Sequence, residues 1–292
     1  MRDFSEQNIT EAVIEAFQGA PDPRLRKIMA ALIRHLHDFV REVDLTQEEW
    51  NYAIDYLTKT GQTCTEKRQE FIMLSDTLGI SMLVDAINHR MPTGATETTV
   101  LGPFYVHNQP EVPLGVDLGR GLKGEPLYVE GFVSSATGTP LPNAIVDTWQ
   151  SDAEGYYDVQ RNDVSGSGLR GRFRTDTQGR FYFWSIMPTS YPIPEDGPVG
   201  EMLRATGRHS YRPAHVHFMI AADDHETLIT HIFPEGDAYL DSDSVFAVKK
   251  SLVREFTKEP PGAAPDGSRM DRPWRKLTYN FGLKPLAMQR AA

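Results

Sequence analysis

The stretch Tyr-Arg-Pro-Ala-His-Val-His-Phe-Met-Ile, residues 211–220, decides how this chain is read. From Ala214 to Ile220 apolar residues alternate with histidines, the period of a β-strand. His215 and His217 are two residues apart. On a strand they share one face, roughly 6–7 Å from each other, and two imidazoles at that spacing can converge on one metal ion. Val216 and Phe218 then point to the opposite face and pack. The chain has a second His-x-His pair, His35 and His37, inside a helical stripe. Residues two apart on a helix point to nearly opposite sides, so this pair is expected to face solvent or pack rather than grip an ion.

Working outward, the strand pattern continues on both sides. Pro126–Ser134, Ile145–Trp149, Phe181–Trp184 and Leu228–Phe233 are also strand-like. Turn signals such as Ala-Thr-Gly-Thr-Pro (136–140) and Thr-Asp-Thr-Gln-Gly (175–179) separate them. Several short strands with frequent turns predict a β-sandwich rather than βαβ units. The Pro/Gly-rich stretch Glu259–Gly267 reads as a loop.

The first third is different. Leu25, Ile28, Met29, Leu32, Ile33, Leu36, Phe39, Val40 and Val43 form the stripe of a helix with one buried face. Pro21 and Pro23 suit its start. Thr46 and Glu49 predict a capping box for the next helix, which carries Trp50, Ile54 and Leu57 and stops near Gly61. A third helix is predicted over about Glu66–Asn88 and a short one over Thr10–Phe17. The chain is therefore mainly β, with a helical region over residues 1–98 and a β-sandwich over 99–292. No internal repeat of 20–50 residues is present.

The chain has 292 residues, 40% hydrophobic and 24% charged, ordinary for a soluble globular protein. Its formal net charge is −10, whereas a nucleic-acid binder usually shows a basic face, so no nucleic-acid partner is expected. No run of about 18 apolar residues marks a membrane span, and the first residues lack the pattern of a secretory leader. The single cysteine, Cys64, excludes an intramolecular disulfide and is expected to pack. It suits a reducing, cytoplasmic location.

A histidine pair needs further ligands before it makes a metal centre. No cysteine cluster exists for a structural zinc site. The neighbouring motifs instead offer tyrosines, in Glu-Gly-Tyr-Tyr-Asp (154–158) and Met-Pro-Thr-Ser-Tyr-Pro-Ile-Pro (187–194). Here the chain resembles the intradiol dioxygenases, a family that includes catechol and hydroxyquinol ring-cleaving enzymes. The segments that carry the resemblance are Thr-Val-Leu-Gly-Pro-Phe-Tyr (99–105), Pro-Leu-Pro-Asn-Ala-Ile-Val-Asp-Thr-Trp-Gln (140–150), Asp-Ala-Glu-Gly-Tyr-Tyr (152–157), Met-Pro-Thr-Ser-Tyr (187–191) and Tyr-Arg-Pro-Ala-His-Val-His-Phe (211–218). They come in family order, and the helical N-terminal region matches as well.

The resemblance implies one non-haem Fe(III) per subunit, held by Tyr157, Tyr191, His215 and His217. The chemistry agrees, because phenolate is a hard anionic donor and a bound cation ionises tyrosine far below its free pKa of about 10. By resemblance Tyr191 is the ligand that leaves when substrate binds, and it shares a catalytic role with Arg212, whose charge would stabilise negative charge developing on the ring. Tyr156, Tyr182 and Tyr211 are read as structural. The resemblance further implies a ring pocket of Met73, Asp76, Leu101, Gly102, Pro103, Phe104, Ile193, Pro194, Arg212 and Val245.

Asp76 stands where catechol-type members tend to have a small or apolar residue, and the hydroxyquinol enzymes look the same here. A carboxylate there would accept a hydrogen bond from a third ring hydroxyl, unless it is an exposed helix aspartate. The expected reaction is cleavage of hydroxyquinol (benzene-1,2,4-triol) by O2 to 3-hydroxy-cis,cis-muconate, the enol of maleylacetate. The alternatives are a catechol or chlorocatechol substrate, a metal-free β-sandwich binding module, and a zinc hydrolase built on His215 and His217. His231 sits where many catechol members carry Gln, and reads either as a partner near the metal or as a core histidine. The resemblance also implies a homodimer through the N-terminal helices, with a phospholipid bound at the interface.

Overall fold

The computed structural model describes residues 3–66, 68–161 and 168–286. They fall into two compact units, one up to Lys59 and one from Thr60 onward.

The first unit holds α1 (Ile9–Ala16), α2 (Pro23–Glu42) and most of α3 (Gln47–Thr63). Asp22 caps α2, its carboxylate accepting from Arg24 N at 2.8 Å, and Pro23 opens the first turn where no N–H is needed. The predicted box before α3 is present: Thr46 N donates to Glu49 Oε2 at 2.9 Å, and Glu49 N donates to Thr46 Oγ1 at 3.3 Å. Only Ile33 of α2 is buried. Leu25, Ile28, Leu32, Leu36, Phe39, Val40 and Val43 are exposed among the described residues, so most of the apolar stripe lies open rather than forming the expected buried face. His35 is exposed, and His37 is half-buried with its Nδ1 3.0 Å from Thr10 Oγ1.

The second unit opens with helices. The predicted helix over Glu66–Asn88 is two helices, α4 (Glu70–Thr77) and α5 (Ile80–Asn88); Lys67 lies outside the described residues. The break is at Gly79, whose φ of +73° is left-handed. A helix cannot pass through that conformation, and glycine adopts it without steric cost. Cys64 is half-buried, its thiol 3.4 Å from the Thr60 carbonyl.

The strands are β1 (Pro126–Ser135), β2 (Ile145–Gln150), β3 (Arg170–Arg174), β4 (Arg180–Ile186), β5 (Tyr191–Pro192), β6 (Tyr211–Arg212), β7 (Val216–Ala221), β8 (Leu228–Pro234), β9 (Val253–Arg254), β10 (Thr257–Glu259), β11 (Gly262–Ala263), β12 (Arg269–Met270) and β13 (Trp274–Leu283), with α6 (Pro198–Ala205) between β5 and β6. One sheet runs β10-β13-β1-β4 and the other β3-β2-β7-β8-β9. The expected loop at 259–267 thus contains β11, which pairs with β12.

The sheets share one core. Leu127, Val129, Phe181, Phe183, Leu277 and Phe281 of the first sheet pack with Val146, Phe173, Val216, Phe218 and Ile232 of the second. Each such side chain, fully buried, contributes about 1.5–3 kcal/mol. Along β7 the core takes Val216, Phe218 and Ile220, so His217 faces the other side of the sheet. That alternation places the chemistry on the outer face.

Candidate active site

His217 lies in β7 opposite Trp149 of β2 and His231 of β8. The Trp149 indole stacks on its ring, with centroids 4.6 Å apart and planes 16° apart. His215 sits just before β7, where its Nδ1 is 2.7 Å from the Pro213 carbonyl. A carbonyl can only accept, so Nδ1 carries the proton and Nε2 keeps its lone pair. That Nε2 lies 3.1 Å from His217 Nε2.

Tyr157 enters from a turn held by Asp152, whose Oδ1 accepts from Glu154 N and Tyr156 N at 2.8 and 3.0 Å. The Tyr157 N–H donates to Gln160 Oε1 at 2.8 Å, and Phe104 stacks on its ring at 4.3 Å. Its Oη is 3.2 Å from Tyr191 Oη, 3.2 Å from His215 Nε2 and 2.9 Å from His217 Nε2. Tyr191 comes from β5, paired with Arg212 of β6. Gly155, at φ +88°, makes room for it: a Cβ there would fall 2.8 Å from Tyr191 Cβ.

The four residues singled out from the sequence are therefore brought together, all buried. Burial, followed by the neighbouring Tyr191, pushes the Tyr157 phenol well above 10. Burial also pushes His215, His217 and His231 well below the usual histidine range, so all three rings are neutral. Tyr157 Oη, with one proton to donate, meets three polar partners, and the buried His217 Nδ1 has no hydrogen-bond partner among the described residues. Separations of 2.9–3.2 Å put these donor atoms close enough together to share one ion. Two oxygen and two nitrogen donors so arranged fit a single transition-metal ion, and the hard phenols fit a trivalent one.

His231 is completely buried, its ring 4.2 Å from that of His217 and 4.8 Å from that of His215. The three histidines form a cluster able to hold a metal ion. The His231 ring stacks on that of His215 with 26° between planes, and neither of its ring nitrogens has a hydrogen-bond partner among the described residues.

A cavity of about 570 Å³ adjoins the cluster. It is lined by Met73, Asp76, Gly102, Pro103, Phe104, Tyr191, Ile193, Pro194, Arg212 and Val245, all anticipated from the sequence. Leu101 packs instead against Trp149, Tyr157 and Tyr191. Ile72, Tyr105, Pro192, Arg68 and Glu70 also line it. Ile72 and Glu70 neighbour Met73 on α4, but their side-chain directions depend on where α4 begins, which the sequence pattern blurs.

Asp76 is 9% exposed, so it is not a surface helix aspartate. Burial raises its carboxyl above the ordinary value, against a hydrogen bond from Ser81 and the charge of Arg212. Arg212 is buried and paired with Asp243, Nε–Oδ1 3.2 Å and Nη2–Oδ2 3.4 Å. Burial disfavours its charge, but Asp243 and the two tyrosines more than offset this, so it stays protonated. The structural tyrosines lie elsewhere: Tyr156 is exposed under Arg161, Tyr182 lies under Arg180, and Tyr211 stacks on Tyr239 at 4.7 Å.

Residues 100–285 match the family model described as Dioxygenase, and residues 22–96 the one described as Catechol dioxygenase N terminus. The chain belongs to the intradiol dioxygenases. This dioxygenase is 52% identical over 285 residues to a 6-chlorohydroxyquinol 1,2-dioxygenase of Cupriavidus pinatubonensis, covering 98% of this chain and 99% of that one. It is 48% identical over 281 residues to a hydroxyquinol 1,2-dioxygenase of Nocardioides simplex, with 96% of each covered. Among solved structures, a hydroxyquinol 1,2-dioxygenase from Pseudomonas putida DLL-E4 matches the dioxygenase with a TM-score of 0.91 and 47% identity, over 96% of this chain and 98% of that one. A catechol 1,2-dioxygenase from Pseudomonas arvilla C-1 matches with a TM-score of 0.80 and 30% identity, over 96% and 91%. The dioxygenase is thus an enzyme of this family with the family's β-sandwich. Among its described residues, no helix is long and apolar enough to cross a membrane.

Proposed function

We propose that this dioxygenase cleaves hydroxyquinol between its adjacent hydroxylated carbons, inserting both atoms of O2 to give 3-hydroxy-cis,cis-muconate, the enol of maleylacetate. The observation that carries the reading is Asp76, a buried carboxylate in the wall of the cavity that Tyr191 and Arg212 also line. A catechol gives it no partner. The third hydroxyl of hydroxyquinol does, and a site built around such a bond rejects the ring that lacks it far better than an apolar wall rejects extra size. The similarity to hydroxyquinol-cleaving enzymes supports the same substrate.

Tyr157, Tyr191, His215 and His217 would hold one Fe(III) per subunit. Bound there, it supplies Lewis-acid activation of the ring diol toward O2. Tyr157, the hub of the cluster, stays in place. Tyr191, which lines the cavity, would take one substrate hydroxyl proton on its Oη. Arg212 faces the ring with a fixed positive charge and stabilises the negative charge that develops on it. Phe104, Ile193, Pro194 and Val245 form apolar walls that orient the ring and exclude water.

We further assign residues 99–292 to the catalytic β-sandwich, to whose cavity α4 adds Met73 and Asp76, and 1–98 to a helical domain that joins two copies in a homodimer. The exposed stripe of α2 supports this, since a contiguous apolar helix face of this size marks an interaction surface. A phospholipid against those helices and a cytoplasmic location complete the proposal.

The deciding experiment is oxygen uptake by iron-loaded enzyme with hydroxyquinol or catechol in parallel, corrected for autoxidation. Uptake on hydroxyquinol with little on catechol is expected. Equal or faster uptake on catechol would assign the enzyme to catechol or chlorocatechol instead. No uptake on either, by protein that holds iron, would leave a non-catalytic binding module.

A further inference from the structure

Arg212 is paired with one carboxylate and shares its cavity with a second. Asp243 pairs with it directly. Asp76 lines the same cavity, and its ionisation responds to both Arg212 and Asp243. An arginine side chain is long and flexible, and a carboxylate in a poorly solvated cavity is a strong counter-ion for it. If Arg212 swung to Asp76, the cavity would lose its ring-facing cation and the acceptor for the third hydroxyl together.

The structure is built against that exchange. Each oxygen of Asp243 has a backbone donor besides the guanidinium: Val245 N reaches Oδ1 at 3.3 Å and Ala247 N reaches Oδ2 at 3.0 Å. The segment that carries Asp243 is anchored next to Arg212. Ser244 N donates to the Tyr211 carbonyl at 3.2 Å, and Ser244 Oγ donates to the Ser210 carbonyl at 3.1 Å. Arg208 then ties this segment to α4. Its Nη2 donates to the Ser244 carbonyl at 3.0 Å and its Nη1 to the carbonyl of Thr77, the residue after Asp76, at 2.7 Å. The two carboxylates are thereby held by one frame, with Asp243 pre-aligned for the guanidinium before it arrives.

We propose that Asp243 is a positioning residue that fixes Arg212 in the cavity wall and keeps it from pairing with Asp76, leaving Asp76 free for the third ring hydroxyl. The role assigned to Asp76 rests on the hydroxyquinol reading; the hold on Arg212 does not.

The test uses iron-loaded enzyme and its Asp243→Asn variant, alone and combined with Asp76→Asn or Arg212→Gln. Kcat and KM are measured on hydroxyquinol and catechol, and anaerobic hydroxyquinol binding is followed by the visible spectrum. Misplacing a catalytic group by about 1 Å costs up to about 100-fold, so D243N alone is expected to lower kcat 10- to 100-fold on either ring. On hydroxyquinol it should also raise KM and weaken anaerobic binding by a similar factor. Adding D76N should recover most of the lost kcat on catechol, because no carboxylate then captures Arg212. In the R212Q background D243N should cost nothing further.

Independent, additive losses from D243N and D76N on catechol would overturn the proposal, as would an equal loss from D243N with and without Arg212. Melting curves verify that the variants fold. If D243N does not fold, Asp243→Glu, which keeps the charge but alters the reach, enters the same comparisons with the same expectation. A wild-type enzyme that prefers catechol would sink the substrate reading while leaving the catechol arm as a test of the hold on Arg212.

Discussion

Tyr191 and Arg212 are direct register partners in the two-residue ladder of β5 and β6. A phenol of the tyrosine–histidine cluster and the buried cation of the adjoining cavity are therefore set by one pair of strands. Whatever shifts that ladder moves both groups at once.

Gly155 offers a way to shift it. The Gly155→Ala variant places a methyl 2.8 Å from Tyr191 Cβ, at a backbone φ of +88° that alanine adopts poorly. The strain costs about 1–3 kcal/mol, and displacement of Tyr191 is expected to lower kcat by about 10- to 100-fold. Thermal melting and oxygen uptake on the same preparation check both effects. Retention of full kcat would mean that Tyr191 keeps its place by moving the turn instead.

Tyr157 and Tyr191 should differ on removal of the hydroxyl. Tyr157 touches Tyr191 and both histidines, so Tyr157→Phe is expected to lose most of the bound iron and the phenolate-to-iron colour. Tyr191→Phe should keep more iron but lose kcat by about 100-fold or more, because the proposed reaction places a substrate proton on its Oη. Iron per chain and the visible spectrum separate the two. Chelation of the wild-type enzyme should abolish activity, and ferric iron should restore it.

Asp76→Asn tests the specificity. Loss of a hydrogen bond to a charged group is worth about 1.5–3 kcal/mol, so kcat/KM on hydroxyquinol should fall about 10- to 100-fold while catechol turnover changes little. The same variant has a stability signature. The folded-state value of Asp76 is raised, mainly by burial, so the folded protein binds that proton more tightly than the unfolded chain. Stability from this group is fully present below the ordinary aspartate range and is lost as pH rises through the raised value. D76N should therefore melt above wild type at neutral pH, with the difference shrinking in acid. A wild type that is more stable than D76N at neutral pH would contradict a carboxylate whose burial outweighs its Ser81 hydrogen bond and the charge of Arg212.

Arg212→Gln leaves Asp243 buried with only its backbone donors. Breaking a buried ion pair by removing one partner costs about 3–5 kcal/mol, somewhat less here because those donors remain. Loss of the ring-facing charge should lower kcat by about 100-fold or more. Urea unfolding and steady-state kinetics read the two separately.

The residues themselves determined much of this. Period two over Ala214–Ile220 separates Val216 and Phe218 from His217 whatever the neighbouring strands do, because alternation is local backbone geometry. The capping box at Thr46 and Glu49 is equally local and formed as read. The helix over Glu66–Asn88 was over-extended, since its apolar period continues across Gly79 and only the left-handed φ reveals the break. Tertiary structure alone decided the rest. It brought Tyr157, Tyr191, His215 and His217 within 3.2 Å contacts across up to 60 residues of chain, and it buried Asp76 rather than leaving it in solvent. It also gave Arg212 its partner 31 residues away, a pairing that no local pattern announces. Such contacts depend on which strands become neighbours in the sheet, and that is settled by packing of the whole core rather than by any one segment.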